Sequence, residues 1–411
     1  MPADQVLHQF FRTRRELGPL DRAFAAEVMY AVLRRWRSLN ARASVSGPSA
    51  AAALPPIDAS TFAAADAGAA TTDAAPAPAT AAVDARAPTP RRLVLVALTS
   101  VFGLSARALE PAIGRNDREW LAATHALDLS TLPPAVALDI PDWLYQRLCA
   151  RFDARETATL VGALNQPAPL DLRINPAKVD RTGAIAQLKA RGIDARETPY
   201  SPFGLRIDGR PTLGRDPLYD QGAVEVQDEG SQLLAQLVAP KRREMVVDFC
   251  AGAGGKTLAL GALMQSTGRL YAFDVSAKRL KAFEPRLKRS GLSNVHPQLL
   301  ANESDARVRR LAGKIDRVLV DAPCTGLGTL RRNPDMKWRQ PESAVAEMAA
   351  KQSAILASAA RLLKPGGRLV YATCSLLEEE NRAVVEAFLA ANPAFSLRPA
   401  NEVLAGLGIA L

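Results

Sequence analysis

Two cysteines each follow a short apolar run that is typical of a buried strand, and both are candidates for nucleophilic chemistry. Cys324 lies in DAPCTGLG (321–328), three residues after Asp321, and Cys374 lies in YATCS (371–375). A cysteine outside a disulfide is more often a small buried hydrophobic residue than a catalyst. Here both thiols are predicted at the carboxyl ends of strands, where α/β proteins bind their ligands. A thiolate beside a carboxylate at such an edge can add to an electron-poor carbon.

A glycine-rich turn joins the strand and the helix predicted in MVVDFCAGAGGKTLALGAL (245–263). A phosphate-binding Walker A loop requires G-x-x-x-x-G-K-[ST]. Residues 255–257 fit the end of that motif, but Cys250 stands where its first glycine is required. The loop is therefore a poor match to a nucleoside triphosphate site.

The better interpretation of this loop is the first turn of a Rossmann-type unit, with Gly252, Gly254 and Gly255 exposing backbone to a cofactor. Asp274 ends the next predicted strand, 20 residues after Gly254. An acid at that position accepts hydrogen bonds from the ribose hydroxyls of an adenosine cofactor, which NAD and S-adenosylmethionine (SAM) both contain. The alternative for Asp274 is that it caps the helix that follows.

Together these residues meet the needs of methylation at carbon 5 of cytosine. That carbon is a poor nucleophile until a thiolate adds to carbon 6 while N3 receives a proton or a hydrogen bond. Carbon 5 can then take the methyl group of SAM, and a base must remove its proton before the thiolate leaves. Cys374, Asp321, Cys324 and the pocket of Gly252 and Asp274 can supply all four functions.

Four segments resemble the motifs of the RsmB/NOP/NSUN family of RNA cytosine-5 methyltransferases, and the match is best with the RsmB/Sun type, which acts on 16S rRNA. The segments are DFCAGAGGKT (248–257), DVSAKRLKAFEPRLKRSGLSNV (274–295), DRVLVDAPCTGLGTLRRNPDMKWR (316–339) and LVYATCSLLEEENRAVVEAFL (369–389). The similarity covers most of residues 140–395. The N-terminal helices resemble, more weakly, the NusB-like RNA-binding domain of that type.

The resemblance implies a role for each candidate residue. Cys374 would be the nucleophile, Cys324 would assist release of the methylated product, and Asp321 would face the cytosine. DNA cytosine methyltransferases use the cysteine of the Pro-Cys motif as nucleophile instead, and the chemistry alone does not exclude that exchange. The residues implied in SAM binding are Cys250, Ala251, Gly252, Ala253, Gly254, Gly255, Lys256, Asp274 and Asp321.

The chain departs from the family pattern at three places. The loop commonly reads C-A-A-P-G-G-K, whereas Gly252 and Ala253 are its third and fourth residues here, which gives the backbone more freedom. No acid occupies the position expected to face the adenine. The candidates are Asn302, which has the expected spacing before Asp321, and Asp305, which follows Asn302 by three residues. The sequence stops at LAGLGIAL, whereas the family continues with a strand pair, so we expect a C-terminally truncated domain.

The charge balance suggests RNA as the partner. Basic residues outnumber acidic ones by 52 to 42, which gives a net charge of +10. Phosphate contacts are predicted for four residues that follow the Asp321 strand end: Arg331, Arg332, Lys337 and Arg339. Trp338 is predicted either to stack on a base or to lie in the core. The target cytosine must be flipped or unpaired to reach a thiol.

The elements that must position these residues divide the chain into several parts. The alternation of strands and helices over residues 236–411 predicts a doubly wound, mostly parallel, Rossmann-like α/β sheet. Residues 141–235 are predicted to form a small α+β subdomain. Residues 1–40 and 91–140 have helical spacing. Between them, residues 41–90 contain 21 alanines and seven prolines and are predicted to be a disordered linker or insertion.

The remaining features restrict the class of protein. The four cysteines form no C-x-x-C pair and the three histidines are scattered, so we expect no metal site. No apolar run is long enough to span a bilayer, and no signal pattern is present at the N-terminus, so we expect a cytoplasmic protein without a membrane partner. A monomer is expected. The alternative function is a catalytically inactive NusB-like RNA-binding or ribosome-assembly factor.

Overall fold

A computed structural model describes residues 1–45, 88–209, 211, 213–214 and 216–411. The chain divides into two compact units, of which the first comprises residues 1–167 and 326–344 and the second residues 168–325 and 345–411. From residue 46 to residue 87 the predicted linker lies outside the described residues. No helix in the described parts of the chain has both the length and the apolar character needed to cross a bilayer.

The first unit contains helices on both sides of the predicted linker. Its α-helices are Ala3–Thr13, Pro19–Arg34, Trp36–Ala43, Pro90–Ser100, Arg115–His125, Pro134–Ala137, Asp142–Cys149, Ala154–Leu164 and Met336–Arg339. Short 3₁₀ helices are Glu110–Ala112, Leu129–Thr131 and Leu327–Thr329. Val28 and Leu39 pack in one core with Leu95, Val96 and Trp120. The two stretches that flank the linker therefore fold together, as their helical spacing predicts.

The second unit begins with a four-stranded antiparallel sheet. Its strands are β1 (Leu170–Ile174), β2 (Ala195–Glu197), β3 (Gly204–Ile207) and β4 (Val224–Val226), in the order β2-β3-β1-β4. Its helices are Arg181–Lys189, Pro217–Asp220 and Glu229–Val238. Alternate residues of the strands, among them Leu172, Leu205 and Val224, pack with Leu188 of the first helix in one apolar core. Strands β1 and β3 pair antiparallel, so the α+β character predicted for this part of the chain is present.

A five-stranded parallel sheet follows in the same unit. Its strands are β5 (Met245–Asp248), β6 (Arg269–Asp274), β7 (Val295–Leu299), β8 (Ile315–Asp321) and β9 (Leu363–Ala372), in the order β7-β6-β5-β8-β9. The helices are Gly255–Leu263, Ala277–Ser290, Ala306–Arg310, Ser343–Ala360, Arg382–Ala391 and Ala400–Ala405, with a 3₁₀ turn at Glu378–Glu380.

Both faces of this sheet are covered by helices. Val246 packs with Leu258 and Phe283 on one face, whereas its neighbour Val247 packs with Val318 and Ile355 on the other. Adjacent strand residues point to opposite faces, so an almost continuous apolar run is required where both faces are buried. The predicted doubly wound α/β fold is confirmed. Its strand order reverses between β5 and β8, and such a reversal creates a ligand crevice at the carboxyl ends of the strands.

Candidate active site and cofactor pocket

The two candidate thiols meet at the carboxyl ends of β8 and β9. Asp321 ends β8 and lies opposite Ala372, the last residue of β9, in the parallel register. Cys324 and Cys374 follow in the next loops, and their Sγ atoms are 3.2 Å apart. The hydrogen bond between the two thiols lowers the pKa of the Cys374 thiol below its ordinary value, and partial burial of the sulfur opposes this effect. A lowered pKa favours the thiolate form, so Cys374 has the electrostatic environment of a candidate nucleophile.

A charged pair lies beside the thiols. Lys256, from the start of the helix Gly255–Leu263, places Nζ 2.6 Å from Oδ2 of Asp321. The side chain of Asp321 is still 30% exposed. The Lys256 charge favours the thiolate of Cys374, whereas the Asp321 charge disfavours it. The lysine of the glycine loop thus pairs with the Asp321 carboxylate, which stays partly exposed to solvent.

The glycine loop after β5 contains two glycines with positive φ, Gly252 and Gly254. Gly254 has φ +82°, and a Cβ atom there would lie 2.0 Å from the Phe283 ring, so only glycine fits. Gly252 has φ +56°, and a Cβ atom there would meet nothing within 4 Å, so its backbone borders open space. Its N–H donates to Oδ2 of Asp274 at 2.8 Å. The loop and the acid at the end of β6 are therefore in direct contact.

Asp274 does not cap the helix Ala277–Ser290. Ser276 is the cap, because its hydroxyl accepts the N–H of Arg279. Asp274 instead accepts the N–H of Ser276 at 2.7 Å through its second oxygen. The capping alternative for Asp274 is wrong, and the carboxylate lies between the glycine loop and the turn after β6.

Two arginines that the sequence did not indicate as functional donate hydrogen bonds to backbone carbonyl oxygens of this loop. Arg286 donates to Ala253 O at 2.6 Å, and Arg173, from β1, donates to Gly255 O at 2.8 Å. Arg286 is also paired with Glu225 of β4 at 2.9 Å. The small antiparallel sheet therefore supports the loop directly. An arginine in a short strand gives no sequence signal for this role.

Cys250, the cysteine of the glycine loop, has a different environment from Cys374. Burial raises the pKa of the Cys250 thiol, and the nearby charges of Asp248 and Asp274 raise it further. Asp248 itself is buried, accepts the Thr257 hydroxyl at 2.7 Å, and has its pKa raised to about 7, mainly by burial. Cys250 can therefore contribute backbone to the pocket, but its thiol is unsuited to nucleophilic attack.

The two candidates for the adenine contact differ in their availability. Asp305 caps the helix Ala306–Arg310, accepting N–H groups from Ala301 at 2.9 Å and Arg307 at 2.8 Å. These bonds lower the pKa of its carboxyl group. Asn302 is exposed, and its side-chain oxygen accepts the N–H of Ser304 at 2.9 Å. Asn302 thus keeps its amide donor toward solvent, whereas both oxygens of Asp305 are engaged.

The predicted RNA-contacting residues belong to the first unit and have different environments. Arg331 is exposed and donates to Pro167 O at 2.7 Å, and Arg332 is half-buried. Arg339 is half-buried and paired with Asp335 at 3.2 Å. These three side chains therefore keep at least part of their surface in solvent.

The predicted phosphate contact of Lys337 is wrong. Lys337 is fully buried, and its Nζ donates to Arg34 O at 2.9 Å and to Asn165 Oδ1 at 2.7 Å. Trp338 is also buried, with Nε1 donating to Leu33 O at 2.7 Å, so its core alternative holds. Both side chains bind residues 326–344 to the helices of the first unit.

Comparison with known proteins assigns a class to this sheet and glycine loop. Residues 235–408 match the family described as 16S rRNA methyltransferase RsmB/F, and residues 140–212 match the ferredoxin-like domain of RsmF/B-like methyltransferases. The protein PH0851, known from a crystal structure, is similar with a TM-score of 0.71 and 26% identity, covering 95% of this chain and 86% of that one. The parallel sheet of the second unit thus belongs to a Rossmann-like methyltransferase domain. The antiparallel sheet before it belongs to a ferredoxin-like domain.

Two relatives narrow this class. The probable ribosomal RNA small subunit methyltransferase B of Synechocystis sp. is 32% identical over 390 residues, covering 91% of this chain and 82% of that protein. The ribosomal RNA small subunit methyltransferase B of Sodalis glossinidius is 37% identical over 253 residues, which are 62% of this chain and 58% of that protein. The chain belongs to the RsmB family of ribosomal RNA small subunit methyltransferases.

Proposed function

We propose that this protein methylates carbon 5 of a cytosine in small-subunit (16S) rRNA, with SAM as the methyl donor and a covalent cysteine–cytosine intermediate. One observation carries the proposal. The Sγ atoms of Cys324 and Cys374 lie 3.2 Å apart at the strand edge where Lys256 meets Asp321. A pair of thiols beside an accessible carboxylate is what addition to a pyrimidine and subsequent elimination require.

In the proposed mechanism the Cys374 thiolate adds to carbon 6 of the cytosine, while Asp321 faces N3. The electron pair of the broken C5–C6 double bond then makes carbon 5 nucleophilic, and SAM, when bound, supplies the methyl group that it takes. Cys324 assists removal of the proton from carbon 5, the double bond re-forms, and Cys374 leaves as thiolate. Cys374 is assigned to attack because the residue is exposed and its thiol pKa is lowered.

The cofactor site that we propose is the loop Cys250–Lys256 with Asp274. Gly252 borders open space with its backbone, and the Asp274 carboxylate lies beside it, which fits a ligand carrying an adenosine ribose. Of the two candidates for the adenine we favour Asn302 over Asp305, because the Asp305 oxygens already cap a helix.

RNA is the proposed substrate, and the names of the relatives and the net charge of +10 support this. Arg331, Arg332 and Arg339 stay the proposed phosphate contacts, and the helical first unit is the proposed NusB-like RNA-binding part. A cytoplasmic location and a monomeric state belong to the same proposal. The inactive assembly factor is not favoured, because Cys324, Cys374 and the Lys256–Asp321 pair are all in place.

Bisulfite sequencing of 16S rRNA from cells with and without this gene tests the proposed function. We expect one cytosine to lose its protection from conversion when the gene is deleted and to regain it on complementation. An unchanged cytosine pattern would exclude the rRNA assignment. Calorimetry with SAM tests the alternative, because an inactive factor with a damaged pocket would show no binding even at roughly millimolar cofactor.

A further inference from the structure

A buried carboxylate, that of Glu380, is bonded to the two loops that carry Cys324 and Cys374. Glu380 is fully buried, and its side-chain oxygens accept four hydrogen bonds from three residues. Oε1 accepts Thr325 N at 2.8 Å and Gln352 Nε2 at 3.0 Å. Oε2 accepts Thr325 Oγ1 at 2.5 Å and also the hydroxyl of Ser375. A buried carboxylate is tolerated only when its lone pairs are filled in this way.

The donors are the residues that directly follow the two cysteines. Thr325 follows Cys324 in the loop after β8, and Ser375 follows Cys374 in the loop after β9. The hydroxyl oxygens of Thr325 and Ser375 are themselves 3.3 Å apart. A single carboxylate therefore joins the loops that carry the two thiols.

Two neighbours of Glu380 hold the other side of each cysteine. Gln352 donates to Pro323 O at 2.9 Å, just before Cys324. Asn381 accepts the Thr373 hydroxyl at 2.6 Å, just before Cys374, and donates to Ser375 O at 3.1 Å. Each cysteine thus lies between two residues that this group of side chains fixes.

We infer that Glu380 is a positioning residue that sets the separation of the Cys324 and Cys374 thiols and so couples addition to the cytosine with release of the product. The coupling to release rests on the proposed function above. Both thiols must reach the same base in turn, and a displacement of about 1 Å in such a site can lower a rate about 100-fold. The loops need a common anchor for this, and Glu380 is bonded to both.

The variant Glu380→Gln separates positioning from simple packing. Glutamine has the same shape, and its amide group can donate to the hydroxyl oxygens of Thr325 and Ser375, which are able to accept. The fold should therefore survive. What is lost is the charged acceptor that both loops share, and neutral hydrogen bonds hold the two hydroxyls less tightly, so the thiol separation should become less defined. The matched control is Glu386→Gln on the helix Arg382–Ala391, where the exposed glutamate pairs with Arg382 at the surface.

The first measurement reads the thiol geometry without RNA or SAM. Phenylarsine oxide condenses with two thiols to a dithioarsinite and releases water, and it does so rapidly only when the thiols are held close together. We expect bridging of Cys324 to Cys374, followed by intact mass and peptide mapping, to be about tenfold slower in Glu380→Gln than in the wild type or in Glu386→Gln. An unchanged bridging rate in Glu380→Gln would overturn the inference, whether or not the protein methylates RNA.

The second measurement follows single turnovers with 16S rRNA and labelled SAM. In Glu380→Gln we expect the methylation rate per folded molecule to fall about 10- to 100-fold, SAM affinity to stay unchanged, and a methylated protein–RNA adduct to accumulate. If Glu380 were purely structural, Glu380→Gln would lower thermal stability but leave the rate and the adduct level of the folded fraction as in the wild type. That outcome would contradict the inference. A wild-type protein without any methylation would instead refute the proposed function, and the bridging rates would still decide the role of Glu380.

Discussion

Three cysteines of the methyltransferase domain show how environment separates residues of one type. Cys374 is exposed and has a lowered thiol pKa because of its hydrogen bond with the Cys324 thiol. Cys250 begins the glycine loop of the same domain, yet burial raises its thiol pKa. Because the thiolate is the reactive form, Cys374 should react faster than Cys250.

Alkylation with iodoacetamide from about pH 6 to pH 10 tests this order. We expect Cys374 to react first, with a half-maximal rate at a pH below that of an ordinary thiol, and Cys250 to react only after unfolding. Peptide mass spectrometry gives the rate at each site. Equal rates at Cys250 and Cys374 in the folded protein would contradict the assigned environments.

Asp321→Asn tests the carboxylate beside the thiols. The asparagine keeps the shape, but it cannot transfer a proton to N3 as the proposed role of the carboxyl group requires, and it loses the ion pair with Lys256. We expect methyl transfer to slow about 100-fold while SAM affinity changes little. The control is Asp316→Asn on the same strand, which pairs with Lys364 away from the thiols. A loss of SAM affinity with an unchanged rate at saturating SAM would instead make Asp321 a cofactor ligand only.

At the residue scale, the sequence could place the thiols but not their supports. Apolar runs that end in Asp321 and Ala372 predict two strand ends at one edge, so Cys324 and Cys374 were expected near each other. The acidic run at residues 378–380 has the composition of a solvated turn, and only the fold shows that Glu380 is buried. The phosphate contact predicted for Lys337 failed because a lysine in a basic segment is expected to face solvent, and only the fold shows the helices that bury it.

At the element scale, the strands with long apolar runs could be predicted and the short ones could not. Runs of β-branched and aromatic residues indicate β5, β6, β8 and β9. Strands β2 and β4 have only three residues each, too few to show a period. Strand β7 contains Pro297 and polar residues, which is tolerated because β7 lies at the sheet edge.

The glycine loop makes a prediction of its own. In Gly254→Ala the added Cβ would clash with the Phe283 ring as well as forcing a left-handed backbone. We expect SAM affinity, measured by calorimetry, to fall at least about tenfold. Gly313→Ala is the control, because Gly313 has φ +66° but open space around its Cβ position; it should cost about 1–2 kcal/mol of stability without changing SAM affinity. Equal SAM affinity in Gly254→Ala would show that the loop adapts.

The contacts of the helix Met336–Arg339 predict a pH-dependent stability of the first unit. Burial lowers the pKa of Lys337 to about 7 from 10.5, so between these values the unfolded chain binds a proton that the folded one lacks, and stability rises with pH. Burial also raises the pKa of Asp139 to about 6 from 3.8, which makes stability fall with pH over that lower range. Charges of Arg34 and Arg35 add to the lowering at Lys337. Stability should therefore be least near pH 6 to 7.

Tryptophan fluorescence can measure this effect, because Trp36, Trp120, Trp143 and Trp338 all belong to the first unit. We expect the free energy of unfolding in urea to rise by about 1–2 kcal/mol from pH 7 to pH 9. Lys337→Met should abolish the rise, whereas Arg12→Met, which removes an exposed cation of the same unit, should keep it. A rise that survives in Lys337→Met would assign it to other groups.

At the scale of the whole molecule, sequence order and fold order differ. The loop of Cys324 belongs to the methyltransferase unit, but residues 326–344, which follow it directly, fold with the helical unit. The segment that carries the proposed phosphate contacts therefore begins where the catalytic loop ends. The alternation of elements predicted the Rossmann-like sheet, but no local pattern indicates that residues 335–338 belong to a helical core far away in sequence.

The central claim is that Cys374 attacks the cytosine and Cys324 releases the product, and opposite phenotypes of two variants test it. The measurement is denaturing gel electrophoresis of each variant after incubation with 16S rRNA and labelled SAM. Cys374→Ala lacks the nucleophile and should give neither methylation nor an adduct. Cys324→Ala should still add to the base and accept the methyl group, so a labelled protein–RNA adduct should persist on the gel. An adduct in Cys374→Ala but not in Cys324→Ala would reverse the two roles, and no adduct in either would contradict the covalent mechanism.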